Sequence, residues 1–140
     1  MRRTSPISSR SSTEELEHNL LQLQSLVLEF NNVSESTLQF TFMDGSQSPV
    51  SAVGLDGVYR LTPGVGLDRA IRTKVETAGQ TVGMRATWSD RQTFLIDYDT
   101  ITNRYAYQLQ LHIEDQGVTL VATDRINGSS ITIHGVLQNP

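Results

Sequence analysis

The sequence predicts an all-β domain, an antiparallel up-and-down β-barrel of about eight to ten strands. Three observations carry this. Apolar and polar residues alternate in short runs: Leu38, Phe40 and Phe42; Phe94, Ile96 and Tyr98; Tyr105, Tyr107, Leu109, Leu111 and Ile113. A period of two over such lengths marks a strand with one buried face. Turn signals separate the runs, Asp44-Gly45 and Asn127-Gly128 being the clearest. The runs recur at meander spacing, so that each strand can pair with the next.

Residues 1–12 are rich in Ser, Arg and Thr and read as a disordered tail or linker remnant. Residues 13–140 remain as the barrel domain. Residues 13–30 carry two competing patterns. Leu16, Leu20, Leu23, Val27 and Phe30 make a helical stripe, and Ser12 with Glu15 resembles a capping box. Leu26, Leu28 and Phe30 alternate instead. Two strands bent at Asn19 are expected, because the strand at 38–43 presents backbone groups that a helix could not pair. A loop at 31–36 joins them.

Strands are then expected around 50–53 and 58–61, on either side of Gly54, Asp56 and Gly57. Pro63, Gly64 and Gly66 mark a loop. Residues 67–78 fit a short helix or a weak strand. Met84, Ala86 and Trp88 alternate, and Trp88 is expected to plug one barrel end. A turn at 89–92 precedes a strand at 94–99. A four-residue loop at 114–117 links the strand of Tyr105 and Tyr107 to that of Val118 and Leu120. The last strand carries Ile131 and Ile133.

Composition narrows the chemistry. There are no cysteines, which excludes thiol catalysis, Cys-bound zinc and disulfides. Net charge is −4, and Arg2, Arg3 and Arg10 leave eight basic against fifteen acidic residues in the rest of the chain. An acidic body argues against a nucleic-acid partner. No run reaches the roughly 18–20 apolar residues of a membrane-spanning helix. The N-terminal arginines lack the apolar stretch of a signal peptide, so compartment stays open. The G-x-S-x-G, S-x-x-K, phosphate-loop and H-E-x-x-H patterns do not occur. No catalytic residue, metal or cofactor is expected.

Candidate sites are few. His18, His112 and His134 are widely spaced and read as solvent-facing. Asp97 and Asp99 have the parity opposite to Ile96 and Tyr98, which places them on the outer face or rim rather than as an acid–base pair. Arg69, Arg72, Lys74 and Arg85 form the one basic cluster, able to hold an anion or an acidic surface. Trp88, Tyr59, Tyr98, Tyr105 and Tyr107 would fill a small barrel or line a ligand cavity. If a ligand is bound, its candidate contacts are Trp88, Tyr98, Tyr105, Tyr107 and Arg85. Asn32-Val33-Ser34 and Asn127-Gly128-Ser129 match the short glycosylation sequon, which carries no weight.

Several segments, in order, resemble the lipocalin-like C-terminal domain of serine hydrolases of the β-lactamase and penicillin-binding-protein class. They are Gly54-Leu55-Asp56-Gly57-Val58-Tyr59-Arg60, Met84-Arg85-Ala86-Thr87-Trp88-Ser89-Asp90, and Thr93-Phe94-Leu95-Ile96-Asp97-Tyr98-Asp99-Thr100-Ile101. Residues 105–114, 118–125 and 131–135 follow in that domain's order, and residues 16–19 and 25–30 resemble its first two strands. Ala86 departs from the family's usual Gly before the Trp, and residues 64–82 match poorly. The hydrolase domain and its catalytic serine, lysine and tyrosine have no counterparts here. The resemblance therefore implies a barrel and association with a β-lactamase-like hydrolase domain in the same or a neighbouring chain, or homo-oligomerisation, without catalysis. It implies an extracytoplasmic location only where such a hydrolase is exported. A lipocalin-type binder of a small apolar ligand is the alternative.

Overall fold

A computed structural model describes residues 12–16, 23–63, 81–100, 106–126 and 128–138. The described residues form ten strands: β1 Ser12–Leu16, β2 Leu23–Phe30, β3 Glu35–Phe42, β4 Ser51–Gly54, β5 Arg60–Pro63, β6 Thr81–Trp88, β7 Thr93–Thr100, β8 Ala106–Glu114, β9 Gly117–Asp124 and β10 Ser130–Gln138. They make one curled sheet in the order β4-β3-β2-β1-β10-β9-β8-β7-β6-β5. Almost every strand lies beside its sequence neighbour, and β1 pairs with β10, so the meander is up-and-down as expected. The ends of the sheet meet at a single parallel bridge, Gly54↔Arg85, between β4 and β6. No helix of the described residues is long and apolar enough to cross a membrane.

The strand reading of residues 13–30 holds at both ends. β1 and β2 are antiparallel neighbours, with Thr13 opposite Val27 and Glu15 opposite Ser25. Ser12, expected in the tail, is instead the first residue of β1. Asn19 with the rest of residues 17–22, residues 1–11, Tyr105, residues 67–78 and the Arg69–Arg72–Lys74 part of the basic cluster lie outside the described residues. The helix-like spacing has a local cause. The register of β2 on β3 shifts between Leu23 and Ser25, an irregularity that adds one residue to β2. Leu23 and Leu26 thus both reach the inner face despite being three apart, and both are buried.

Several boundaries move. The loop expected at 114–117 shrinks to a two-residue turn, because Glu114 pairs with Gly117. The loop after β2 is shorter than expected, because Glu35 already pairs with Gly54. The strand expected at 58–61 begins only at Arg60, since the preceding residues form a turn. At the β8–β9 hairpin Asp115 takes φ 48°, a left-handed conformation that Asp tolerates well.

Inward residues fill the curl. Phe40, Phe42, Met84, Phe94, Ile96 and Tyr98 are each at most 1% exposed. Neighbouring strands match across the core, as at Phe94↔Leu111 and Tyr98↔Tyr107. Burial of this apolar surface is the main driving force for the fold, at roughly 25 cal/mol per Å². Outward residues of β6 to β9 are polar or half-buried and form the second face.

Candidate functional site

The parity of β6, β7 and β8 puts Arg85, Asp97 and Gln108 in one row on the outer face. The register sets Arg85 opposite Asp97 and Asp97 opposite Gln108. Two residues along each strand, Thr87 and Leu95 occupy the next row on the same face. The turn at residues 55–59 folds over this row and supplies Leu55 and Gly57. Together these residues bound a groove of about 330 Å³.

Arg60 holds the turn in place. Its Nε donates to Glu35 Oε1 at 2.9 Å, and its Nη1 donates to the Val58 carbonyl at 2.9 Å and to Asp56 Oδ1 at 3.1 Å. Its Nη2 reaches Asp56 Oδ2 at 3.0 Å and the Ser34 carbonyl at 3.2 Å. The guanidinium beside Asp56 holds that carboxyl below its ordinary value, helped by the Val58 N–H. Gly54 lets the turn close. A Cβ there would lie 1.9 Å from the Val58 carbonyl oxygen, so only glycine admits the approach.

Arg85 sits beneath the turn, fixed on three sides. Its Nε donates to Asp97 Oδ2 at 3.1 Å, its Nη1 to the Gly57 carbonyl at 3.3 Å, and its Cζ lies 4.5 Å from the centre of the Tyr59 ring. Burial raises the Tyr59 hydroxyl above its usual pKa, and the Asp99 carboxylate beside it adds to the shift. Asp99 is itself ion-paired with Arg125. Ion pairs this exposed contribute little to stability, about 1 kcal/mol or less.

The sequence-derived candidates disperse. Tyr98 and Tyr107 point inward and pack with ring centres 5.9 Å apart, 0% and 5% exposed. Trp88 lies at the other end of the core, half-buried against Phe94 at 4.9 Å and stacked with Phe30 at 6.2 Å. Arg85 is on the opposite face of the sheet from all three. Tyr59, grouped by sequence with the interior aromatics, lies outside with its ring against Arg85. Asp97 and Asp99 face outward as their parity required, and each is held by a different arginine.

Two histidines lie on the outer face. His112 Nδ1 is 2.8 Å from Thr93 Oγ1 and its Nε2 is 3.6 Å from Glu114, while His134 Nδ1 is 3.4 Å from Thr119 Oγ1. His18 lies outside the described residues. Among the described residues no three potential ligands gather in a metal-binding cluster.

Sequence reasoning missed Leu55, Arg60 and Gln108. Shared parity could have placed Gln108 beside Asp97. Nothing local announces the Arg60 contacts with Ser34 and Glu35. Compared with protein-family models, with curated proteins and with solved structures, the chain gives no match.

Proposed function

We propose that this chain is a non-catalytic β-barrel module that works by packing against a protein partner. The resemblance noted above makes that partner a β-lactamase-like hydrolase domain or a second copy of the barrel. The observation that supports the reading is the filled inner face. Phe40, Phe42, Phe94 and Tyr98 occupy the space that a carrier would leave for cargo, so recognition falls to the outer surface. Two of the buried serines are engaged locally rather than by a base: Ser48 Oγ accepts the Phe40 N–H and lies 3.1 Å from the Pro49 carbonyl, and Ser51 Oγ donates to the same carbonyl.

Sedimentation of the chain, alone and mixed with a β-lactamase-class catalytic domain encoded in the same genome, tests this. A stable complex or a defined homo-oligomer is expected. A strictly monomeric chain that ignores the hydrolase overturns the reading. So does turnover of a chromogenic lactam or short-chain ester that a single Ser substitution abolishes. The alternative, a binder of small apolar ligands, draws on the half-buried Phe30 and Trp88 at one end of the core. Saturable quenching of Trp88 fluorescence by a fatty acid or retinoid would favour it.

A further inference from the structure

The outer groove combines features that a purely structural ion pair does not need. Arg85 has five N–H donors. Asp97 takes one and the Gly57 carbonyl another. Both Nη2 donors and the second Nη1 donor have no acceptor among the described residues. This is the edge of the guanidinium that grips a carboxylate in two parallel hydrogen bonds. Asp97 likewise commits Oδ2 to Arg85, and its Oδ1 accepts no hydrogen bond among the described residues. The Gln108 amide makes no side-chain hydrogen bond there either. A donor fork, a carboxylate oxygen and an amide without partners among the described residues thus line one groove, with Leu55 and Leu95 as its apolar walls.

Charge decides what fits. Arg85 and Asp97 neutralise each other, and so do Arg125 and Asp99 behind them. A simple anion or cation would unbalance the site, whereas a zwitterion leaves it neutral. The volume lies at the lower end of the roughly 300–1,000 Å³ that holds small ligands. The site is also preorganised, since Tyr59 and the Arg60-held turn fix Arg85 before any ligand arrives.

We propose that this groove binds a small zwitterion with a short apolar side chain, of the free α-amino-acid class. The carboxylate takes the Nη1–Nη2 edge of Arg85. The ammonium donates to Asp97 Oδ1. The side chain lies between Leu55 and Leu95. This inference does not depend on the packing role proposed above.

Amide chemical shifts of the labelled full chain, titrated with leucine, N-acetyl-leucine and leucinamide, test it. Saturable shifts at Thr87, Leu95, Asp97 and Gln108 are expected with leucine. Each capped analogue, lacking one charge, should bind at least about tenfold more weakly. Arg85→Gln should abolish the shifts while amide dispersion stays native. Should that variant lose its fold, Gln108→Trp fills the groove and leaves the ion pair intact, and it should abolish the shifts as well. Absence of saturation at millimolar leucine overturns the proposal. Equal binding of the capped analogues, or persistence in either folded variant, does the same.

Discussion

Gly54→Ala is the sharpest test of how the turn over β6 is built. Gly54 ends β4, is buried, and forms the bridge to Arg85. Its φ is not positive, so alanine meets no backbone penalty and the cost is steric alone. The new Cβ would lie 1.9 Å from the Val58 carbonyl oxygen and 2.9 Å from Arg60 Nη1. Ordinary contact begins near 3.4 Å, so Cβ and oxygen must separate by about 1.5 Å. The obstacle is backbone, and moving it pulls the Val58 carbonyl away from Arg60. Overpacking of this kind costs about 1–3 kcal/mol, and the upper end applies because the turn is pinned to Glu35 and Ser34. At roughly 3–4 °C per kcal/mol for a domain of this size, the midpoint should fall by about 10 °C. Gly45→Ala is the control. Gly45 has φ 86° with nothing within 4 Å of an added Cβ, so its cost is conformational, about 1–2 kcal/mol. Circular-dichroism melts of both variants decide the matter. A Gly54→Ala protein that melts with the wild type, or no lower than Gly45→Ala, refutes the close-packing account.

Trp88→Ala should cost about 3 kcal/mol by opening the cluster with Phe30 and Phe94, read as a lower urea midpoint; a neutral variant would show that the indole anchors nothing. Tyr59 should ionise above its ordinary value of 10.0, because burial and Asp99 disfavour the phenolate. Its neutral form is favoured in the folded state, so the stabilisation is whole below pH 10 and is lost as pH rises through the raised value. The difference between wild-type and Tyr59→Phe ultraviolet titrations reports it, and an unshifted phenol would contradict the stacked, Asp99-facing geometry. Asp56 has the opposite sign: its carboxyl is held below 3.8 by Arg60, so its contribution is present above that pH and lost as pH falls through the depressed value. Asp56→Asn should flatten the acid limb of the stability profile, and an unchanged limb would place the Arg60 contacts with Asp56 outside the turn's energetics.

The inner face was legible because it is periodic. Phe94, Ile96 and Tyr98 or Leu109, Leu111 and Ile113 declare their side of the sheet by alternation alone. The β2 strand was harder, because one extra residue near Leu23 mimics helical spacing over a single turn's length. Strand wins there because β3 presents backbone groups that only a neighbouring strand can pair. The groove was mostly illegible. Its roof depends on Arg60 reaching residues 25 and 26 positions earlier, and nothing in the local spacing encodes such a contact. Its floor is simple parity, yet polar residues on an outer face give no sign of which will be roofed. Residue type alone does not separate a core tyrosine from one that meets a ligand or the surface. Tyr98 and Tyr107 serve the core, and Tyr59 serves the surface.

The pairing of the first strand with the last has a bearing on how the barrel joins other polypeptide. Thr13 lies opposite Gln138, so the described chain enters and leaves side by side. Both points sit at the rim that carries the turns at 31–34, 89–92 and 115–116. A domain attached ahead of β1 and one attached behind β10 would approach the same rim and meet the same loops. Order of attachment then matters little to which rim carries the joint.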